Sequence, residues 1–169
     1  LVPKGSGAPG PTDGAFRSAQ VSYSTHVQTY GWQGTAFDGA TSGTVGRAKR
    51  LEGLKVSLNA GAGSGSIQYR THVQTYGWES GWKADGAVSG TVGQAKRLEA
   101  VQIRLSGDVA SRYDVYYRVH AQGFGWMGWA KNGESAGTAG YAYRLEAMQV
   151  QLVPKGSGAP GPTDGAFRS

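Results

Sequence analysis

The chain has no cysteine, few charged residues and no long hydrophobic run. The absence of cysteine excludes a disulfide framework and any thiolate metal site. No apolar run approaches the roughly 20 residues that a membrane-spanning helix needs, so we expect no membrane insertion. Lys and Arg outnumber Asp and Glu by 17 to 11, but these basic residues are scattered through a chain that is only 17% charged. This pattern argues against a groove that binds nucleic acid.

Repetition is the main feature of what the sequence does contain, alongside 29 Gly, nine Tyr and five Trp. Residues 1–18, LVPKGSGAPGPTDGAFRS, recur without a change at 152–169. Such a run of identities does not arise by chance, so we expect a longer parent chain with a period of 151 residues. Within the present sequence, a body at 19–152 then lies between a Pro/Gly-rich linker at 1–18 and a second linker copy at 153–169.

A shorter repeat fills the body. The segment Val21–Trp32 returns as Ile67–Trp78 and, more diverged, as Val115–Trp126. Each copy continues with a Gly-Thr-x-Gly turn and then reaches Arg-Leu-Glu near its last apolar segment. The three copies span residues 21–58, 67–105 and 115–152.

The two ends of each copy alternate between apolar and polar residues, which predicts β-strands. In the first copy this alternation covers residues 21–27 and 54–58. The Gly-rich middle contains turn pairs that favour tight hairpins, namely Asp38-Gly39, Asp85-Gly86 and Asn132-Gly133. Because no window shows a sustained helical period with a cap, we predict an all-β body.

One copy is too small to bury its own apolar face, so we expect the three copies to share one core. Small sheets arranged around a pseudo-threefold axis would also leave few open strand edges. Both a β-prism and a β-trefoil suit three repeats of about 40 residues. We predict the prism, because the strand-like ends of each copy are long, and keep the trefoil as the alternative.

The repeated motif also points to a known family. Each copy reads Tyr-x-x-His-Val/Ala-Gln-x-Tyr/Phe-Gly-Trp, then Gly-Thr-x-Gly, then Arg-Leu-Glu. This pattern resembles the ChW repeat, the clostridial hydrophobic repeat with a Trp in a Gly-Trp pair. The resemblance implies a secreted or surface protein of a Gram-positive bacterium, with adhesion or polysaccharide binding as suspected roles. The first copy departs from the pattern, since it has Gly-Thr-Ala-Phe37 where the others carry a second Trp.

All three histidines occupy one motif position, and three of the tryptophans occupy another. Three imidazoles around a threefold axis could bind a metal ion. A simpler explanation places each histidine beside the Trp of its own copy, hydrogen-bonded to a backbone group, and a large ring in every copy suits a small core. We therefore predict no metal and no cofactor, and we assign six residues to the structural core: His26, His72, His120, Trp32, Trp78 and Trp126.

The Arg-Leu-Glu motif places one Arg and one Glu on the same face of a strand. A glycosidase needs two carboxyl groups about 5–10 Å apart, whereas each copy offers one motif Glu beside a cation that would lower its pKa. The sequence shows no Ser-His-Asp arrangement and no phosphate-binding loop. We predict that the chain is not an enzyme and that the motif forms structural ion pairs between neighbouring strands, from Arg50, Glu52, Arg97, Glu99, Arg144 and Glu146.

Two roles then compete. The unchanged duplication favours a structural unit of a tandem-array fibre, stalk or sheath on a bacterial surface, with identical units as its partners. The alternative is an adhesion module that binds carbohydrate or the cell wall and is multiplied for avidity. In that case Trp82 and Trp129 would stack on the sugar rings of a cell-wall polysaccharide.

The linker ends in an aromatic residue that a simple spacer does not need. Burial of Phe16 and Phe167 would hold a proline-stiffened segment in a groove. We expect both linker copies to be ordered, and residues 152–169 to contact a neighbouring body rather than their own.

Overall fold

The protein is built almost entirely from short strands, as the alternation predicts. The structure is a computed structural model that describes residues 19–169. The first copy forms β1 (Val21–Val27), β2 (Gly31–Trp32), β3 (Ala36–Phe37), β4 (Ser42–Gly43) and β5 (Leu51–Leu58). The second forms β6 (Ser66–Val73), β7 (Gly77–Trp78), β8 (Lys83–Ala84), β9 (Ser89–Gly90) and β10 (Leu98–Ser106). The third forms β11 (Tyr113–Ala121), β12 (Gly125–Trp126), β13 (Ala130–Lys131), β14 (Ser135–Thr138) and β15 (Leu145–Pro154), and β16 (Phe167–Arg168) follows it. A 3-10 turn at Ala60–Ala62 and the helix α1 (Asp108–Arg112) lie between the copies.

The first and last strands of each copy form a long antiparallel pair. These pairs are β1 with β5, β6 with β10, and β11 with β15. Their buried residues contribute to one core cluster that all three copies share. Its largest members are Tyr23, Tyr69 and Tyr117, each at most 2% exposed. The prediction of an all-β body with three repeats and a common core is confirmed.

A short strand from the middle of each copy pairs with the long strands of another copy. β9 of the second copy pairs with β5 of the first, β14 of the third with β10 of the second, and β4 of the first with β15 of the third. These exchanges close a ring, which is the pseudo-threefold arrangement that three equal repeats predict. Each sheet is therefore completed by a strand of a different copy. The choice of β-prism over β-trefoil stays a prediction.

The Asp-Gly and Asn-Gly pairs form tight turns, but these turns do not join the two strands of a hairpin. Asp38 and Gly39 have φ values of 42° and 88°, and the N–H of Ala40 donates to the carbonyl of Phe37 at 3.0 Å. The strand before this turn, β3, pairs with β1 of its own copy, whereas β4 after it pairs with β15. The prediction of hairpins is wrong here, because the pair specifies the turn and not the partner of the strand that follows.

The second linker copy contacts its own body. Strand β15 continues through Pro154, and the N–H of Lys155 donates to the carbonyl of Arg112 at 2.9 Å. Strand β16 then runs parallel to β14, with Phe167 opposite Gly137. The expectation that residues 152–169 contact a neighbouring body rather than their own is therefore wrong. Phe16, the equivalent aromatic residue of the first linker copy, lies outside the described residues.

Each core tyrosine has a buried hydroxyl that donates to a carbonyl just beyond its own turn. The acceptors are Ala40 for Tyr23, Ala87 for Tyr69 and Glu134 for Tyr117. Burial disfavours the phenolate, which raises the pKa of Tyr23 to about 12 and also raises the pKa values of Tyr69 and Tyr117.

We expect the body to lose stability as the pH rises from 10 to 12. Because the folded state raises the tyrosine pKa, the stabilisation is complete below the unfolded value of 10.0 and is lost as the pH passes the folded value. Tyr23 alone accounts for about 3 kcal/mol of this loss. Denaturant unfolding at a series of pH values measures this loss. Tyr117→Phe should reduce by about one the number of protons that unfolding releases in this pH range. A free energy of unfolding that stays constant up to pH 12 would contradict the assignment.

Candidate functional site

Each copy carries one cluster of His, Glu, Arg and Trp where its first strand turns back. In the first copy, Nδ1 of His26 lies 3.0 Å from Oε1 of Glu52, and Nε of Arg50 donates to Oε2 at 2.8 Å. Glu52 is only 6% exposed, and a buried carboxylate is tolerated when it is paired in this way. The other clusters, with distances of 2.8–2.9 Å, are His72–Glu99–Arg97 and His120–Glu146–Arg144.

These clusters differ from the expected ion pairs in two respects. The Arg and the Glu belong to the same segment of chain, and the residue from the neighbouring strand is the histidine. That histidine approaches a carboxylate instead of a backbone group. The reason is a register shift between His26 and Val27, where β1 opposes β5 irregularly. The pairing passes over Glu52, and such a bulge re-aims the extra side chain, here toward His26 of the facing strand.

The motif tryptophans do not belong to the core. Trp32, Trp78 and Trp126 are half-buried and lie outside the core cluster, and so do the three histidines. The ring of Trp32 meets His26 edge to face, with 5.3 Å between centroids and 84° between planes. The same geometry recurs in the other two copies. The assignment of these six residues to the core is therefore wrong, because the interior is filled by tyrosines and aliphatic residues instead.

Cations cover the tryptophans. Nζ of Lys55 lies 4.2 Å from the ring centroid of Trp32, and the guanidinium of Arg118 lies 4.6 Å from that of Trp126. The guanidinium of Arg104 lies 3.9 Å from the centroid of Trp82. Cation–π contacts of this kind let a large ring remain partly exposed without an apolar partner.

The two tryptophans proposed for sugar stacking have different surroundings. Trp82 is half-buried, whereas Trp129 is 6% exposed and packs with Tyr116, Val153 and Ala159 in a separate small cluster. The second linker copy therefore covers Trp129. Of these two residues, Trp82 keeps the partial exposure that a stacking platform needs.

The first copy has a small cleft where the other two copies have these tryptophans. Thr35 stands three residues before its Asp-Gly turn, which is the position of Trp82 and Trp129 in the other copies. A cleft of about 230 Å³ opens beside it. Its lining is polar and includes Ser22, Ser24, Thr35, Lys55 and Ser57. In the first copy, Thr35 thus stands where the other copies have an aromatic ring, and the space beside it is lined by hydroxyl groups.

The linker is attached to the third copy by a series of backbone hydrogen bonds. The N–H of Trp129 donates to the carbonyl of Pro162 at 2.9 Å, and the N–H of Gly137 donates to that of Ala166 at 2.9 Å. A Cβ atom on Gly128 would lie 2.3 Å from the carbonyl oxygen of Asp164, so the linker backbone occupies the space of a side chain. These contacts place the linker in a groove that only a glycine at 128 leaves open.

Asp114 binds the start of the linker, a role that was not predicted from the sequence. Its carboxylate accepts from the N–H of Gly156 at 3.0 Å and from Nδ2 of Asn132 at 2.9 Å, and Nζ of Lys155 lies 3.2 Å away. The hydrogen bond from Gly156 is the main cause that lowers the pKa of Asp114 to about 2. The sequence does distinguish this position, because Asp114 is charged whereas the equivalent residues of the other copies, Gln20 and Ser66, are not.

The three histidines are not brought together, since each lies in its own sheet with its own Glu. Across residues 19–169, no group of three or more His, Cys, Asp and Glu side chains could hold a metal ion. In the same part of the chain, no helix is long and apolar enough to span a membrane.

Comparison with known families identifies the repeat. A family model described as Clostridial hydrophobic W (ChW) matches residues 26–60, 72–107 and 120–154. The three matches follow the three structural copies and together cover more than half of the chain. No curated protein and no solved structure matches the sequence. The chain therefore belongs to the ChW family and contains three of its repeats.

Proposed function

We propose that the protein is a non-catalytic structural unit of an extracellular tandem array, a fibre, stalk or sheath on a bacterial surface. In this proposal its partners are identical units. The duplicated linker would join one body to the next identical body, and its attachment to the body would make that connection rigid. The carboxylate of each Arg-Leu-Glu motif is already committed to an Arg and a His, which supports a structural role for these residues.

The observation that carries the proposal is how little free chain separates two successive bodies. Arg168 is bound to its own body, since its carbonyl accepts from the N–H of Ala139 at 3.0 Å. In an array of period 151, the residue after Ser169 is the equivalent of Ala19, which is 7% exposed in the body that it begins. The N–H of Gln20 then donates to the carboxylate of Asp38 at 3.0 Å. Only Ser169 lies between the two attached segments, so each body would be held at a fixed distance and rotation from the last. Repeated head-to-tail contacts of this kind generate an open filament.

Chains of one, two and four units test this proposal by X-ray scattering in solution. A rigid array predicts a radius of gyration that increases almost in proportion to the number of units. A flexible array predicts growth close to the square root of that number. The second result would contradict the array geometry, whereas the first would support it.

Trp82 supports a second candidate, a module that binds cell-wall polysaccharide. It is half-buried and contacts Arg70 and Arg104, whose guanidiniums are 5.0 and 3.9 Å from its ring centroid. We expect Trp82→Ala to abolish any change in Trp fluorescence caused by peptidoglycan fragments. Trp129→Ala should have no direct effect on binding, because the linker covers that ring. An unchanged response in the Trp82 variant would remove this candidate.

A further inference from the structure

Equivalent residues of all three copies line one cavity of about 390 Å³. The cavity therefore lies where the three copies meet, on the pseudo-threefold axis. Three Arg, three Gln and three Ala contribute to its lining: Arg50, Arg97, Arg144, Gln28, Gln74, Gln122, Ala48, Ala95 and Ala142. None of these described residues is acidic.

The polar groups of the lining are hydrogen-bond donors. Each Arg has five N–H donors and gives the one on Nε to its Glu, which leaves four. Each Gln uses its carbonyl oxygen to accept from the backbone N–H of the Arg in its copy, at 3.1–3.3 Å. The Gln amino groups remain as donors. The side-chain acceptors of the lining are thus used inside the protein, whereas the Gln amino groups and four N–H groups of each Arg remain as donors.

The surrounding charge is also positive. The guanidiniums of Arg50, Arg97 and Arg144 are balanced by their buried glutamates. Arg47, Lys49 and Lys96 lie on the same loops and add cations, and the described ion pairs give them no carboxylate partner. Nζ of Lys49 and of Lys96 instead donates to the hydroxyls of Thr29 and Thr75.

The backbone around the cavity is strained in the same place in every copy. Ala48, Ala95 and Ala142 have φ values of 55°, 54° and 60°, a left-handed conformation that alanine rarely adopts. A glycine would remove this strain. Conformations of this kind concentrate at ligand-binding sites, where the surrounding structure holds them.

We propose that this cavity binds a tetrahedral oxyanion of the phosphate type. A tetrahedral ion presents three equivalent oxygens around a threefold axis, which matches three equivalent guanidiniums, and Arg is the side chain best suited to phosphate oxygens. The fourth oxygen would point along the axis, where it could be free or carry the ester of a phosphorylated polymer. This site is independent of the array proposal, since every residue that forms it lies within one body.

The test uses the full chain and two variants of one residue. Ala95→Asp places a carboxylate in the cavity without touching any ion pair, and Ala95→Asn is the matched neutral control. Asp and Asn both tolerate the left-handed conformation. Calorimetric titration with inorganic phosphate, at an ionic strength held constant with sodium chloride, measures binding. A parallel titration with glycerol phosphate distinguishes a free ion from a phosphate ester.

We expect saturable binding of about one phosphate per chain, retained in Ala95→Asn and weakened at least tenfold in Ala95→Asp. Binding of glycerol phosphate as well would show that the site accepts a phosphate ester, and binding of inorganic phosphate alone would restrict the site to the free ion. If Ala95→Asp fails to fold, Ala142→Asp and Ala142→Asn repeat the comparison in the third copy. Heat that does not saturate, or equal affinity in the Asp and Asn variants, would overturn the proposal.

Discussion

Replacing Gly90 by Ala should destabilise the body by about 3–5 kcal/mol. Gly90 lies in β9, the strand that the second copy contributes to the sheet of the first. A Cβ atom there would lie 2.5 Å from the carbonyl oxygen of Glu52 and 2.9 Å from a methyl group of Leu98. The residue also has a φ of 91°, which costs an L residue a further 1–3 kcal/mol or so. Since the carbonyl belongs to the neighbouring copy, the clash separates the two copies.

Gly93→Ala is the matched control for this prediction. Gly93 has a φ of 85°, but a Cβ atom at this position meets nothing within 4 Å. This variant adds backbone strain alone, which costs about 1–2 kcal/mol. Denaturant unfolding of the two variants separates the clash from the strain. Equal losses in Gly90→Ala and Gly93→Ala would show that the exchanged strand contributes little to stability.

Replacing Gly128 by Ala should release the second linker copy from the body. The new Cβ atom would lie 2.3 Å from the carbonyl oxygen of Asp164 and 2.7 Å from the carbonyl carbon of Thr163, both of them backbone atoms that cannot rotate away. We therefore expect the backbone amides of Trp129, Gly137 and Ala139, which donate to carbonyls of the linker, to lose their protection against hydrogen exchange. Trp129 should become accessible to collisional quenchers of fluorescence at the same time.

Gly81→Ala controls for the substitution itself. Gly81 precedes Trp82 in the second copy, as Gly128 precedes Trp129 in the third, and a Cβ atom on Gly81 meets nothing within 4 Å. This variant should leave the amides of Trp129, Gly137 and Ala139 protected. Unchanged hydrogen exchange in Gly128→Ala would show that the linker is not held in this groove.

The strands and the shared core were predictable because they depend on local sequence. Alternation of apolar residues marks the long strands, and three equal motifs imply three equal units. The exchange of β4, β9 and β14 between copies was not predictable, because these strands are two to four residues long and carry no pattern of their own. Their partners are fixed only when three copies close into a ring.

The candidate site was less predictable, for a different physical reason. A tryptophan in every copy suggests a core residue. Whether the ring of Trp32 faces the interior or the solvent depends, however, on the lysine and the histidine that contact it on the outside. The linker was predicted to be ordered, but the body that it contacts was predicted wrongly. Its own body holds it through backbone carbonyls such as those of Pro162 and Ala166, which any sequence possesses, so no side-chain pattern indicates the partner.

The most direct test of the rigid array is the distribution of distances between two successive bodies. The chain has no cysteine, so one cysteine placed at the exposed residue Ser111 of each body of a two-unit chain can carry a spin label. Pulsed electron paramagnetic resonance then measures the distance between the labels. The attached linker predicts one narrow distance in the unmutated chain, and a broad distribution when Gly128→Ala is introduced in the first body. A broad distribution in the unmutated chain, unchanged by Gly128→Ala, would contradict the account.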